Sequence, residues 1–208
     1  MSGSNAKNNH VSQDIVEQLA TVIQRSQADS PNGVTIVALD GRGGIGKSTL
    51  AIALAQRLGA SVIDSDDFYT GEPLEGWMAL SPPERADRCI NWRRQEALLQ
   101  TLTAGDTANW QAYDWERDDG TLTSAWQQCH PTDIVILEGT FSSRRELDGV
   151  INIRLLAIAE PEDQRRRFIE REGPTEWIEW APIWQDAEDH YFARVMPADS
   201  FDAIVDIS

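Results

Sequence analysis

The segment Gly41-Arg42-Gly43-Gly44-Ile45-Gly46-Lys47-Ser48-Thr49 satisfies the phosphate-loop pattern G-x-x-x-x-G-K-[ST]. Glycines in such a loop allow consecutive backbone N–H groups to turn inward and form a concave anion site. The Lys47 ammonium adds a positive charge, the Ser48 hydroxyl can bind Mg2+, and the helix that begins here directs its positive end at the phosphates. We therefore predict a bound nucleoside triphosphate, held by Gly41, Gly43, Gly44, Ile45, Gly46, Lys47, Ser48 and Thr49.

The flanking sequence supplies the strand, loop and helix context that this motif requires. Residues 34–39 form a largely apolar run that is typical of a buried strand. Leu50, Leu54 and Leu58 recur at helical spacing after the loop, and Gly59 favours a helix end there. A glycine-rich turn without a ligand is the structural alternative, but this context favours nucleotide binding.

Length and charge narrow the class of protein. The 208 residues fit one domain with a full core, so we predict a single domain over residues 1–208. The net charge of −16 argues against nucleic acid or an anionic membrane surface as a partner. No apolar run approaches a membrane span and the first residues lack a secretory signal, so we expect a cytoplasmic protein with Cys89 and Cys129 as reduced thiols. Residues 1–10 are expected to be disordered, and apolar spacing predicts an N-terminal helix over residues 11–26.

Acidic residues follow two further predicted strands. Residues 60–63 predict a short strand that leads into Asp64-Ser65-Asp66-Asp67-Phe68-Tyr69, and the apolar residues 134–137 lead into Glu138. Because ligands of open α/β sheets bind beyond the carboxyl ends of the strands, these carboxylates should face the phosphate loop. One could accept a proton from an attacking hydroxyl, another could hold Mg2+, and Glu138 fits the role of a Walker-B acid. The alternative for residues 64–69 is an acidic turn whose aromatic rings pack on the core.

Candidate ligand contacts lie between these strands. We predict a loop over residues 70–80, followed by a helix that the capping box Ser81-Pro82-Pro83-Glu84 opens and that runs to about Leu102. Within it, the arginines of Asn91-Trp92-Arg93-Arg94 could contact an anionic ligand or lie on a solvated face. In Tyr113-Asp114-Trp115, the rings could stack on a heterocycle while the carboxylate accepts hydrogen bonds from sugar hydroxyls, or the rings could fill the core.

The last third of the chain predicts two strands, at residues 151–158 and 203–205, with the second closing one sheet edge. A helix opened by Pro161 lies between them and carries Arg167 and Arg171 four positions apart. The two side chains share a helix face and could both reach a transferring phosphoryl group, whereas pairing with neighbouring acids is the alternative. Aromatic residues then recur on one face of a following helix, and we predict that they pack in the core: Trp177, Trp180, Trp184 and Tyr191.

Taken together, these residues resemble the uridine kinase-like branch of P-loop kinases, which includes nicotinamide riboside kinase and bacterial pantothenate kinase. The resemblance spans about residues 34–206 and begins with the phosphate loop. The other matching motifs are Asp66-Asp67-Phe68-Tyr69 as D-x-F-[YF], Tyr113-Asp114-Trp115 as Y-D-[FW], Glu138-Gly139 as E-G, and Arg167 with Arg171 as R-x-x-x-R.

The resemblance implies a three-layer α/β P-loop NTPase fold with a small lid and a parallel sheet of about five strands in the order 2-3-1-4-5. It implies ATP as the phosphoryl donor with Mg2+, and Asp66 as the catalytic base. Lys47, Arg167 and Arg171 would balance charge in the transition state. The implied Mg2+ ligands are Ser48, Asp66 and Glu138, and the implied acceptor contacts are Asp67, Tyr69, Asn91, Arg94, Tyr113, Asp114 and Trp115.

The identity of the acceptor stays open at this point. A nucleoside is the first expectation, but Asn91 stands where nucleoside kinases have a ribose-binding aspartate, and no histidine follows Trp115. A sugar, pantothenate or a vitamin precursor is the alternative acceptor, and a non-catalytic nucleotide-binding module is the alternative outside enzymes. A GTP-dependent switch is disfavoured because the sequence lacks the guanine-reading run N-K-x-D. A homodimer also stays open.

Overall fold

The computed structural model of this chain describes residues 12–27 and 33–208, so the predicted disorder of residues 1–10 lies outside the described residues. In chain order the strands are β1 Thr35–Asp40, β2 Ser61–Asp64, β3 Ala108–Trp110, β4 Gln127–Cys129, β5 Ile134–Glu138, β6 Ile153–Ile158 and β7 Ala203–Asp206. The helices are α1 Gln13–Gln27, α2 Lys47–Leu58, α3 Leu74–Ala79, α4 Pro82–Arg88, α5 Trp92–Thr103, α6 Pro161–Glu172 and α7 Pro174–His190, and a π-helical turn Tyr191–Val195 continues α7.

Five of the strands form one parallel sheet in the order β2-β5-β1-β6-β7. Counted along the chain within this sheet, the order is 2-3-1-4-5, which confirms the prediction. β7 forms one edge, as expected. β3 and β4 pair antiparallel in a separate two-stranded sheet that the sequence analysis did not predict.

Side chains of the central strand, β1, alternate between the two faces of the sheet, and this alternation explains the three layers. All six residues of β1 are buried, and successive side chains point to opposite faces of the sheet. Ile36 and Ala38 belong to a core cluster shared with α5 and α7. Val37 and Leu39 belong to a second cluster shared with α1 and α2. Each fully buried aliphatic side chain contributes about 1.5–3 kcal/mol to folding, so both faces of this strand need a helical layer.

Two of the predicted element boundaries are wrong. The helix predicted from Pro82 to about Leu102 is two helices, α4 and α5, because the chain between them turns back onto the segment after β2. Ile90 pairs with Tyr69 in an isolated bridge, and the Asn91 N–H donates to the Phe68 carbonyl at 2.8 Å. The predicted loop over residues 70–80 contains α3.

Other local predictions are confirmed. The capping box forms, since the Ser81 N–H donates to the Glu84 carboxylate at 2.8 Å. α2 ends at Gly59, whose left-handed backbone lets its N–H reach the Ala55 carbonyl. Within the described ranges, no helix is long and apolar enough to cross a membrane.

Candidate active site

The phosphate loop lies between β1 and α2, as the motif requires. Gly41 has φ +147°, and a β-carbon there would lie 2.3 Å from the Ala157 carbonyl oxygen, so the position admits only glycine. Lys47, the first residue of α2, donates from Nζ to the Arg42 carbonyl at 2.8 Å and to the Thr140 hydroxyl at 3.3 Å. The ammonium is therefore held across the loop, where phosphate oxygens would bind.

Asp40, the last residue of β1, is a buried hub that the sequence analysis missed. Its carboxylate accepts hydrogen bonds from the N–H groups of Gly41 at 2.8 Å and of Phe141 and Ser143 at 2.9 Å. It also accepts one from the Tyr191 hydroxyl at 2.8 Å. Burial raises the pKa of Asp40 against the effect of these bonds. This one side chain joins the phosphate loop, the loop after β5 and the end of α7.

The loop after β5 carries backbone strain beside the site. Phe141 has φ +68°, a left-handed conformation that costs about 1 kcal/mol or more for a residue with a side chain. The bond from its N–H to Asp40 stabilises this conformation. The preceding residue, Thr140, receives the Lys47 hydrogen bond, so Asp40 indirectly positions the phosphate-binding ammonium.

The predicted catalytic and metal-binding acids meet at the carboxyl ends of β2 and β5. These strands are neighbours, and Asp64 is paired with Glu138 in the strand register. Gly139 allows the close approach, because a β-carbon there would lie 2.4 Å from the Ser65 β-carbon. Asp66 follows on the 3-10 turn Ser65–Phe68, which the Asp64 carboxylate caps by accepting from the Asp66 N–H at 2.8 Å.

Burial of these acids, together with their closeness to one another, raises their pKa values. Desolvation by the surrounding protein, followed by the nearby Asp64 charge, raises the pKa of Asp66 to about 6, although Lys47 and Arg171 oppose the shift. Desolvation also raises the pKa of Glu138 to about 7, against a hydrogen bond from Ser48. A carboxylate with a pKa near 6 is matched to general-base chemistry at neutral pH.

The oxygen donors at this edge fit Mg2+. The Ser48 hydroxyl lowers the pKa of Glu138 and the Asp66 charge raises it, so hydroxyl and carboxylate oxygens gather next to the phosphate loop. Among the described residues, no group of three or more His, Cys, Asp or Glu side chains is arranged to hold a metal ion. Mg2+ in phosphoryl-transfer sites is bound by one or two carboxylates together with substrate phosphates and waters, so Ser48 and Glu138 could supply the protein's share.

A cavity of about 550 Å3 opens beside the phosphate loop and the acids. Gly43 and Asp66 line it, together with residues of α6 and α7. Its walls are rich in aromatic rings, namely Tyr69, Trp115, Phe141, Phe168, Trp177, Trp180 and Trp184. We call this cavity the cleft.

The tryptophans of α7 correct the prediction of a purely structural stripe. Trp180 and Trp184 pack against the core, but both also line the cleft with Trp177. Only Tyr191 is buried as expected, at 2 % exposed. An aromatic stripe on a helix indicates burial, yet the pattern does not distinguish core from the wall of a cavity.

The predicted acceptor residues divide into two groups. Tyr69 and Trp115 line the cleft, where their rings stack with centroids 4.9 Å apart. Tyr113 lies behind them, 2 % exposed, with its hydroxyl donating to Asp118 at 2.6 Å. Asp114 accepts from the Glu116 N–H at 3.2 Å and shapes a turn.

Three other predicted acceptor residues do not line the cleft. Asp67 accepts from the Trp110 indole N–H at 2.7 Å, and Arg94 donates to the Gln111 carbonyl at 2.6 Å. Asn91 caps α5 by accepting from the Arg94 N–H at 3.3 Å and lines a separate cavity of about 330 Å3. Asp67 nevertheless lies next to the acids of the site, since the charge of Asp64 acts on it.

The arginines of α6 have separate environments. Arg171 lines the cleft and pairs with Glu172. Arg167 instead donates to the backbone carbonyls of Ile45 and Ile207, so it binds the outer side of the phosphate loop. Arg166 pairs along the helix with Asp163 and Glu170, which is the alternative that the sequence left open.

Glu188 of α7 makes a contact that the sequence analysis also missed. It is 4 % exposed, and its carboxylate accepts from the Gly43 N–H at 2.8 Å and from the Arg42 guanidinium at 3.4 Å. Arg42 also pairs with Asp189. α7, which lines the cleft, is thus bonded directly to the phosphate loop. Glu188 is 145 residues from Gly43, so no local spacing could have indicated the contact.

Comparisons with solved structures agree with this architecture. A structure described as a possible uridine kinase from Bacillus stearothermophilus superposes with a TM-score of 0.68 at 21 % identity, covering 93 % of this chain and 98 % of that one. A Silicibacter protein provisionally described as a fructose transport system kinase has a TM-score of 0.70 at 22 % identity, covering 91 % and 98 %. D-glycerate 3-kinase from Cryptococcus neoformans has a TM-score of 0.65 at 13 % identity, covering 93 % and 96 %.

The fold is that of uridine kinase-like P-loop kinases. The chain matches no protein-family model, and no curated protein matches its sequence. At sequence identities this low, the likeness to P-loop kinases describes the fold alone. The chemistry depends on the residues of the cleft.

Proposed function

We propose that the protein is an ATP-dependent kinase that transfers the γ-phosphoryl group to a hydroxyl of a small molecule, with a nucleoside as the first candidate acceptor. The observation that carries the proposal is the position of Asp66. It lines the cleft beside the phosphate loop, and its pKa is raised to about 6. A group so placed can accept a proton from an acceptor hydroxyl near neutral pH.

In the cleft, one bond to the γ-phosphorus would form while another breaks. The acceptor oxygen forms a bond to the γ-phosphorus as the bond from that phosphorus to the bridging oxygen of ADP breaks. Asp66 takes the hydroxyl proton, and ADP leaves. Bound Mg2+ would neutralise phosphate charge, and Ser48 and Glu138 would hold it.

The charged side chains around the cleft would stabilise the transition state. Lys47 is fixed across the phosphate loop by its bonds to Arg42 and Thr140. Arg171 reaches the cleft from α6, and its charge already influences Asp66. Fixed positive charge is the main contribution that a protein makes to phosphoryl transfer. In this proposal Arg167 shapes the phosphate loop through its carbonyl contacts.

The test is ADP release from ATP and Mg2+ with a panel of uridine, cytidine, nicotinamide riboside, pantothenate and simple sugars. We expect one acceptor to stimulate release, and the Asp66→Asn protein to lose about 10²–10⁴-fold in turnover while its ATP affinity is retained. Asp106→Asn is the matched control, because Asp106 is exposed and does not line the cleft. If no acceptor stimulates release, and the unmodified protein and the Asp66→Asn variant bind ATP equally, a non-catalytic nucleotide-binding module becomes the better account.

A further inference from the structure

The acceptor end of the cleft combines aromatic rings with carboxylates. Tyr69 is the centre of the aromatic group, with ring centroids 4.9 Å from Trp115, 5.7 Å from Trp77 and 6.2 Å from Trp184. A second pair, Phe168 and Trp177, lies 5.3 Å apart on the α6 and α7 side. Aromatic rings from the segment after β2, from residue 115 and from α6 and α7 therefore share one cleft.

The charges that line the cleft are unbalanced. Five carboxylate side chains line it, namely Asp66, Asp118, Glu172, Glu176 and Glu188. Among the described residues that line the cleft, Arg171 is the single basic side chain, and it is already paired with Glu172. An anionic acceptor would therefore meet several like charges and no unpaired cation.

We propose that the acceptor is a cation, a small alcohol that carries a quaternary or protonated nitrogen, bound against Tyr69, Trp115 and the α7 tryptophans in the cleft that Asp118 and Glu176 also line. The hydroxyl group of the acceptor rests on the proposed kinase function. The positive charge of the acceptor rests on the residues of the cleft alone. A cation over a ring face is attracted by the ring quadrupole, and most strongly over tryptophan. The exposed ring of Trp115, at 55 %, offers such a face to the opening of the cleft.

The charge preference separates this site from one built for glycerate, whose carboxylate would need a basic partner. A neutral nucleoside could stack on the rings but would leave the carboxylates without a cationic partner. The carboxylates favour a positive ligand through charge attraction, and the rings favour a delocalised or methylated cation that loses little hydration. Both effects select the same class of acceptor.

A binding measurement tests the charge preference without depending on turnover. The probes are choline, a hydroxylated quaternary ammonium, and 3,3-dimethylbutan-1-ol, its neutral analogue with carbon in place of nitrogen. Binding to the full chain is followed by tryptophan fluorescence. We expect choline to bind at least about tenfold more tightly, which corresponds to about 1.4 kcal/mol. Equal affinity, tighter binding of the neutral alcohol, or no measurable choline binding overturns the inference.

Two pairs of variants locate the site. Trp115→Leu should reduce the choline preference by about threefold or more, whereas Trp126→Leu should not, because Trp126 is 66 % exposed and does not line the cleft. Glu176→Gln should weaken choline binding and leave the neutral alcohol unchanged. Glu162→Gln, the same change at an exposed position outside the cleft, should affect neither. Equal effects within either pair would contradict the assignment.

The kinase panel separates the failure of this inference from the failure of the proposed function. Preferred turnover of a cationic acceptor, such as nicotinamide riboside over uridine and pantothenate, supports both. Preferred turnover of uridine or pantothenate retains the kinase and overturns the cationic acceptor. If no acceptor is turned over, the kinase proposal fails, and the choline titration still decides the charge preference of the cleft.

Discussion

Asp40 shows how one buried side chain can hold several segments of a site together. Removing its carboxylate would leave three N–H groups and the Tyr191 hydroxyl without their acceptor. Each buried donor left unsatisfied costs about 1–3 kcal/mol, so we expect Asp40→Ala to lower the free energy of unfolding by at least about 3 kcal/mol. Urea unfolding followed by fluorescence measures this change.

A milder change tests the same hub with the fold retained. Tyr191→Phe keeps the buried ring and removes only the hydrogen bond to Asp40, with an expected loss of about 1.5 kcal/mol in unfolding free energy. Tyr113→Phe is the control, because its hydroxyl bonds to Asp118, an exposed side chain, and the loss should be smaller. Equal losses of unfolding free energy in the two variants would show that the hydrogen bond to Asp40 stabilises the fold no more than the bond to Asp118 does.

The raised pKa of Asp66 predicts the pH dependence of the reaction. Asp66 must be ionised to accept a proton, so kcat/KM should fall as pH drops through about 6 and level off above it. The residual activity of Asp66→Asn should lack this acidic limb. Since the pKa of Glu138 is raised to about 7, a limb that persists in Asp66→Asn would assign the titration to Glu138 and contradict the base assignment.

At the residue level, local pattern indicated the loop and the acids that the structure brings together beside the cleft, and it missed the residues that hold them in place. The phosphate loop, Asp66 and Glu138 are readable because strand ends and glycine spacing are local features. Asp40 could have been suspected as an acid between a buried strand and the loop, but its partners Phe141 and Ser143 are more than 100 residues away. Glu188 carries no local signal at all.

Among the helices, the arginines of α6 provide a direct comparison of two environments on one element. Arg171 lines the cleft, whereas Arg166 pairs with Asp163 and Glu170 along the helix. If Arg171 stabilises transition-state charge, Arg171→Ala should lower kcat by about 10²-fold or more. Arg166→Ala should stay within about twofold. Steady-state kinetics at saturating ATP measure both.

The opposite ranking would contradict the role assigned to Arg171. Arg167 makes a third position on the same helix, with a different expected signature. Because it bonds to the Ile45 carbonyl of the phosphate loop, its loss should raise the KM for ATP more than it lowers kcat.

The break between α4 and α5 shows where element prediction fails. The capping box predicted the start of a helix that would run to about Leu102, and the capping box is present. Tertiary contact ends that helix early, because Ile90 pairs with Tyr69 and the Asn91 side chain caps a new helix. Asn91 therefore caps α5 and lines a separate cavity, so its predicted contact with the acceptor stays a prediction.

Across the whole molecule, the order of the sheet was predicted from the resemblance to uridine kinase-like P-loop kinases, and the structure has that order. The antiparallel pair β3 and β4 was not, since each strand has three residues and is too short for a periodic signal. That pair carries Trp110, whose indole N–H donates to Asp67, one of the predicted acceptor residues. The surroundings of this predicted residue thus depend on the part of the fold with the weakest sequence signal.

Ligand binding to the folded chain should appear as added global stability. A ligand that binds only the native state at 100 times its Kd adds about 2.7 kcal/mol, or roughly 5–10 °C in Tm for a chain of this size. We expect ATP with Mg2+ to give such a shift, and ATP with EDTA to give a smaller one because Ser48 and Glu138 would lose their metal. Lys47→Met should abolish most of the shift, since the ammonium spans the phosphate site between Arg42 and Thr140. A full shift in Lys47→Met would mean that the nucleotide binds elsewhere, and the phosphate loop would no longer account for it.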